Sequence, residues 1–93
     1  MSTIVDIIFY TIGTFVIVKT TQQLKIGKKL GKKIATIRRT QKITQAQLAY
    51  ECGLSRQYIS YLESGRQSPT IDSLVSISNV LDVSLKQLFD FEN

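Results

Sequence analysis

The sequence has no histidine and a single cysteine among its 93 residues. A lone thiol, Cys52, can form no internal disulfide, which suits a reducing compartment. Without imidazole and with one thiol, zinc sites of the usual Cys/His type are excluded. Ser-His-Asp and Cys-His catalytic groups are excluded with them. No metal-binding carboxylate cluster, phosphate-binding glycine loop or nucleophile–base pair takes their place, so no cofactor, metal or enzymatic activity is expected. Proline occurs once and glycine five times, while 43% of residues are hydrophobic; this is globular rather than low-complexity composition.

Acidic residues are missing from one long stretch. Lys19, Lys25, Lys28, Lys29, Lys32, Lys33, Arg38, Arg39 and Lys42 follow one another with no Asp or Glu between them, in a chain of net charge +5. Such a run attracts phosphate or anionic lipid, or it is simply a solvated helix face. The length allows one small domain with an appendage. A core of this size is marginal alone, and dimerisation would add buried apolar surface.

The composition divides the chain into an apolar extension, residues 1–24, and a helical domain, residues 25–93. In the domain, Ile26, Leu30, Ile34 and Ile37 recur at helical spacing and predict an amphipathic helix to about Gln41. Thr44 and Gln47 have the spacing of a capping box and open a short helix with Leu48, Ala49 and Cys52 inward. Gly53 ends it, and Leu54 plugs the corner. Ser55 caps a third helix, Arg56 to Ser64, with Ile59 and Leu62 inward. Arg56, Gln57, Ser60 and Tyr61 are left outside. Gly65 stops this helix and Pro69 blocks its continuation. Thr70 caps a fourth helix with Ile71, Leu74, Ile77 and Leu81 as its buried stripe. Ser84 and Gln87 form a second capping box, starting a last helix with Leu85, Leu88 and Phe89 inward. The expected fold is all-α, a compact five-helix domain.

A helix, a sharp glycine-containing turn and a second helix form the supersecondary unit that reads DNA. Two short helices at a steep angle need small residues where they cross, a role given to Ala49 and Gly53. The second helix enters the major groove with its N-terminal half, so it needs apolar anchors behind and polar groups in front. Arginine can fork onto guanine O6 and N7, and glutamine can pair with adenine N6 and N7. Arg56 and Gln57 stand where those groups are required.

The stretch from Ile43 to Leu81, and above all "TQAQLA…GLSRQYIS.LE.G…P", resembles the helix-turn-helix family of phage repressors and Cro proteins, which includes restriction-modification controller proteins and many antitoxins. The resemblance covers about residues 27 to 90. It implies base reading by Arg56, Gln57, Ser60 and Tyr61, and backbone contacts from Thr44, Gln45, Ser55, Tyr58, Arg66 and Gln67. Alternatives stand beside several of these: Tyr58 as a packing residue, Gln45 as a capping neighbour, Tyr61 as surface cover, and Arg56 and Gln57 as ordinary exposed helix residues. The resemblance also implies a structural ion pair, Arg38–Glu63. The basic first helix lies behind the reading pair in this fold, so its lysines are expected to steer the encounter more than to touch phosphate.

Residues 1–24 have three readings. β-branched and aromatic residues favour a strand hairpin at about residues 3–10 and 15–20, apolar on both faces and therefore paired with its twin or with another protein. A membrane helix comes second: the run from Ile4 to Val18 is interrupted by Asp6 and is short of the ~20 residues a bilayer requires. A helix packed on the domain is the third. The expected function is a cytoplasmic, sequence-specific regulator of transcription that binds double-stranded DNA, acting as a homodimeric repressor on an inverted-repeat operator. One alternative is an antitoxin that holds a toxin through residues 1–24; another is a membrane-tethered regulator.

Overall fold

In the computed structural model, residues 20–91 are described. The β-arm, membrane-helix and toxin-binding readings fall mainly on residues 1–19, outside the described residues. Among the described residues five helices follow one another: α1 (Thr21–Thr40), α2 (Gln45–Cys52), α3 (Arg56–Ser64), α4 (Ile71–Leu81) and α5 (Leu85–Leu88).

Helix α1 begins four residues before the expected domain boundary at Lys25. Its start is set by a capping box in which the Gln23 amide donates to Thr20 Oγ1 (3.1 Å) and the Thr20 amide donates to Gln23 Oε1 (2.9 Å). These two residues satisfy orphan donors at the helix end. The basic residues Arg38 and Arg39 lie in the last turn, where the helix dipole favours positive charge. No described helix is long and apolar enough to cross a membrane.

The remaining helices start on Thr44, Ser55, Thr70 and Ser84, each accepting a backbone N–H three residues on. The Thr44 cap uses only half of the expected box: Gln47 N–H reaches Thr44 Oγ1 at 3.0 Å, with no return bond from the Gln47 side chain among those the structure gives. Thr70 and Ser84 carry full boxes. Gly53 (φ 72°) and Gly65 (φ 78°) end α2 and α3 in the left-handed region, which L-residues other than glycine rarely enter.

Leu30, Ile34, Leu48, Ala49, Ile59, Leu62, Leu74, Ile77, Leu81 and Leu88 form one buried cluster. α1 packs on α3, α3 on α2, α2 on α4, and α5 on both α4 and α1. Four residues expected inside are not. Ile71 is 71% exposed, and Ile26, Leu85 and Phe89 are also exposed. Ile71 is the first residue of α4 and lies before the first full turn that meets the core. Ile26 lies on the N-terminal part of α1, ahead of its first buried residue, Leu30. α5 is a single turn with only Leu88 buried.

Of the two small residues expected where α2 crosses α3, Ala49 is buried but Gly53 has open space around it; the glycine without room for a Cβ lies where α1 crosses α3. A Cβ on Gly53 would meet nothing within 4 Å, whereas one on Gly31 would collide with the backbone carbonyls of Leu62 and Glu63. Gly53 is therefore present for its φ, and Gly31 for close approach.

Candidate nucleic-acid interface

Helix α3 divides its residues between a buried strip and an outward face. Ile59 (0% exposed) and Leu62 (2%) anchor it in the core. Arg56 and Gln57 are exposed at its N-terminal end, with Ser60 and Tyr61 half-buried one turn later. The left-handed Gly53 and the Ser55 cap aim this end outward: Ser55 Oγ accepts the Tyr58 amide at 3.0 Å.

Two of the outward side chains are linked. Gln57 Nε2 donates to Tyr61 Oη at 3.0 Å, and the Arg66 guanidinium lies 5.4 Å from the centroid of the Tyr61 ring. The hydrogen bond holds the Gln57 carboxamide at one edge of the helix. Its Oε1 and second N–H are not used by that bond and remain for a ligand.

On the other edge, α3 is tied to α1 and α2. Arg38 Nε and Nη2 fork onto Glu63 Oε2 (2.6 Å) and Oε1 (3.0 Å). Arg38 Nη1 donates to the Ile43 carbonyl at 2.7 Å. Gln45 Nε2 donates to Glu63 Oε1 at 2.9 Å. The side chains of Arg38 and Glu63 are 9% and 5% exposed. This network joins the C-terminus of α1, the start of α2 and the end of α3.

The structure thus brings Arg56, Gln57, Ser60 and Tyr61 onto one outward surface, with Ser55, Gln57, Tyr58, Tyr61 and Gln67 around a shallow depression. It turns two expected backbone-contact residues partly inward. Gln45 spends an N–H on Glu63. Tyr58 Oη shares a hydrogen bond with Ser73 Oγ (3.0 Å) and receives the Thr70 amide at 3.4 Å. Thr44 and Ser55 use their hydroxyl oxygens as helix caps, while Arg66 and Gln67 are exposed. Sequence reasoning missed the Gln57–Tyr61 link, although the i, i+4 spacing of an amide and a phenol on one helix was available to suggest it.

A family model described as helix-turn-helix matches residues 34–88. The chain belongs to the helix-turn-helix family. It is 40% identical over 62 residues to the control protein C.BamHI of Bacillus amyloliquefaciens, covering 66% of this chain and 76% of that one. It is 32% identical over 59 residues to the immunity repressor protein of Bacillus phage phi105, covering 63% of this chain and 41% of the repressor. Among solved structures it is similar to SinR of Bacillus subtilis in complex with DNA, with 34% identity, a TM-score of 0.63, and coverage of 66% and 98%. This helix-turn-helix chain is a DNA-binding regulator of transcription, and its family is one of regulators rather than enzymes.

Proposed function

We propose that the chain represses transcription as a homodimer by seating α3 in the major groove of an inverted-repeat operator in the cytoplasm. One observation carries the reading. The apolar strip of α3 is sealed in the core, while Arg56 and Gln57 project from the end that such a helix inserts first. In this reading Arg56 forks onto a guanine and Gln57 pairs with an adenine edge. Arg66 and Gln67 meet the backbone beside the reading helix. SinR, a relative of similar fold, has been crystallised with DNA, which supports the same partner here. Two copies would place their reading helices about 34 Å apart on successive faces of the duplex.

The test is a selection of duplexes from a random pool, followed by titration of wild type and an Arg56→Ala/Gln57→Ala variant. The variant should keep its thermal transition and lose preference for the selected duplex over a scrambled one. Undiminished preference in a folded double variant overturns the reading. Sedimentation of the free and DNA-bound protein checks the dimer.

A further inference from the structure

A groove of about 480 Å³ runs between α1 and the edge of α3, lined by Lys28, Lys32, Arg39, Gln45, Ser60 and Ser64, with Glu63 among its walls. We propose that this groove is a second contact surface for the DNA backbone, in which Lys28, Lys32 and Arg39 hold phosphates of the strand flanking α3. The inference rests on the placement of α3 in the major groove and extends it to α1.

The charge of the groove is one-sided. Its single carboxylate, Glu63, is neutralised by the Arg38 fork and also accepts the Gln45 amide. Lys28, Lys32 and Arg39 are all exposed, and no described ion pair engages them; the one described pair is Arg38–Glu63. Ser60 adds a hydroxyl donor; the Ser64 hydroxyl donates to the Tyr61 carbonyl at 3.2 Å.

Geometry selects the occupant. An α-helix with its side chains is about 10–12 Å across, and the major groove is about 12 Å wide. A helix that fills the groove therefore has a phosphate strand along each of its long edges. Tyr58 and Tyr61 stand toward one edge of α3, with Gln67 of the following loop beside them. Ser60 and Glu63 stand toward the other, and the cations of α1 lie beyond them. The strand on that side passes over Lys28 and Lys32, so these lysines bind phosphate locally instead of acting only at a distance.

α1 supplies its own control. Lys29 and Lys33 line a neighbouring groove beside Phe91, which shares Lys32 as a wall but not Lys28 or Arg39, and the Lys29 ammonium lies 5.9 Å from the Phe91 ring centroid. Glutamine at position 28 retains the Cγ that packs toward Gly65. The experiment titrates full-length wild type, Lys28→Gln/Lys32→Gln and Lys29→Gln/Lys33→Gln against a duplex selected from a random pool and a scrambled duplex, at rising salt. Each phosphate contact contributes about 0.9 to the slope of log K against log salt. The first pair should flatten the slope by about 1 to 2, and weaken both duplexes by a similar factor. The control pair, with the same charge change, should leave the slope near that of wild type. Arg39→Gln gives the same readout if the first pair disturbs the thermal transition. An unchanged slope, or equal changes in the two pairs, overturns the proposal. Failure of wild type to prefer the selected duplex would instead overturn the placement of α3 itself.

Discussion

Gly31 of α1 lies directly against the Leu62 carbonyl of α3, with the Glu63 carbonyl oxygen 2.8 Å from where a Cβ would sit. Alanine in a helix interior is ordinarily better than glycine by roughly 0.8–1 kcal/mol. Here the added methyl would meet backbone, which cannot rotate away as a side chain can. Gly31→Ala should therefore destabilise the domain by about 1–3 kcal/mol, the usual range for overpacking. Gly27, on the same helix, has nothing within 4 Å of its Cβ position. Gly27→Ala should stabilise by about 0.5–1 kcal/mol. Urea unfolding of the two variants checks the sign, and two changes of the same sign would contradict the assigned crossing.

The Arg38–Glu63 fork is shielded from water on both sides and ties three helices together. Removing one partner strands the other charge. Arg38→Ala should also release the Ile43 carbonyl and cost about 3–5 kcal/mol. Arg38→Met/Glu63→Leu should recover most of that loss, because the desolvation of both charges is removed together. Thermal unfolding of Arg38→Met, Glu63→Leu and the double variant closes the cycle that measures the coupling.

Helix starts were legible in the sequence because a short polar side chain at the N-cap acts through local hydrogen bonds. Thr44, Ser55, Thr70 and Ser84 behave as their spacing predicts. The start of α1 was missed because Thr20 and Gln23 sit within a segment read as an apolar extension. Burial at helix ends was harder to read. Ile71, Leu85 and Phe89 have suitable spacing, yet burial depends on where a neighbouring helix stops, which is a tertiary matter. The same holds for Gly31: only the packed α1–α3 pair distinguishes it from Gly27. Gln45 and Tyr58 stand at positions associated with DNA contact by resemblance, but their partners inside the protein, Glu63 and Ser73, become visible only in the fold.

Cys52 is half-buried against the core. Burial first, and the negative charge of Glu51 second, push its thiol above the ordinary value of 9.0. The folded protein thus holds the thiol proton more tightly than the unfolded chain does. Stability from this group is fully present below pH about 9.0 and declines as pH rises from there through the folded value. Cys52→Ala should flatten that alkaline decline in unfolding curves measured above pH 9. Native protein at pH 8 should also be alkylated more slowly than the same protein in denaturant, since the thiolate is the reacting form. Equal alkylation rates in the two states would contradict the shielding.

Tyr61 places its hydroxyl under the Gln57 carboxamide, at 3.0 Å, on the surface that the proposed function puts against base edges. A glutamine free in solution samples many rotamers, and each one lost on binding costs part of about 0.5–1.5 kcal/mol. The phenol removes some of that cost in advance and leaves Gln57 an acceptor and a donor for adenine. Tyr61→Phe keeps the ring, the contact with Arg66 and the fold, and removes only the hydroxyl. Its unfolding free energy should stay within about 0.5 kcal/mol of wild type, because the ring packing is kept and the hydroxyl's bond to Gln57 lies on the surface. Its discrimination should fall several-fold at a single base-pair position, with the salt dependence unchanged. Repeating the substitution in a Gln57→Ala background separates positioning from direct contact. If Tyr61 acts through Gln57, Tyr61→Phe has no further effect there; an equal loss in both backgrounds would show that the hydroxyl contacts DNA by itself.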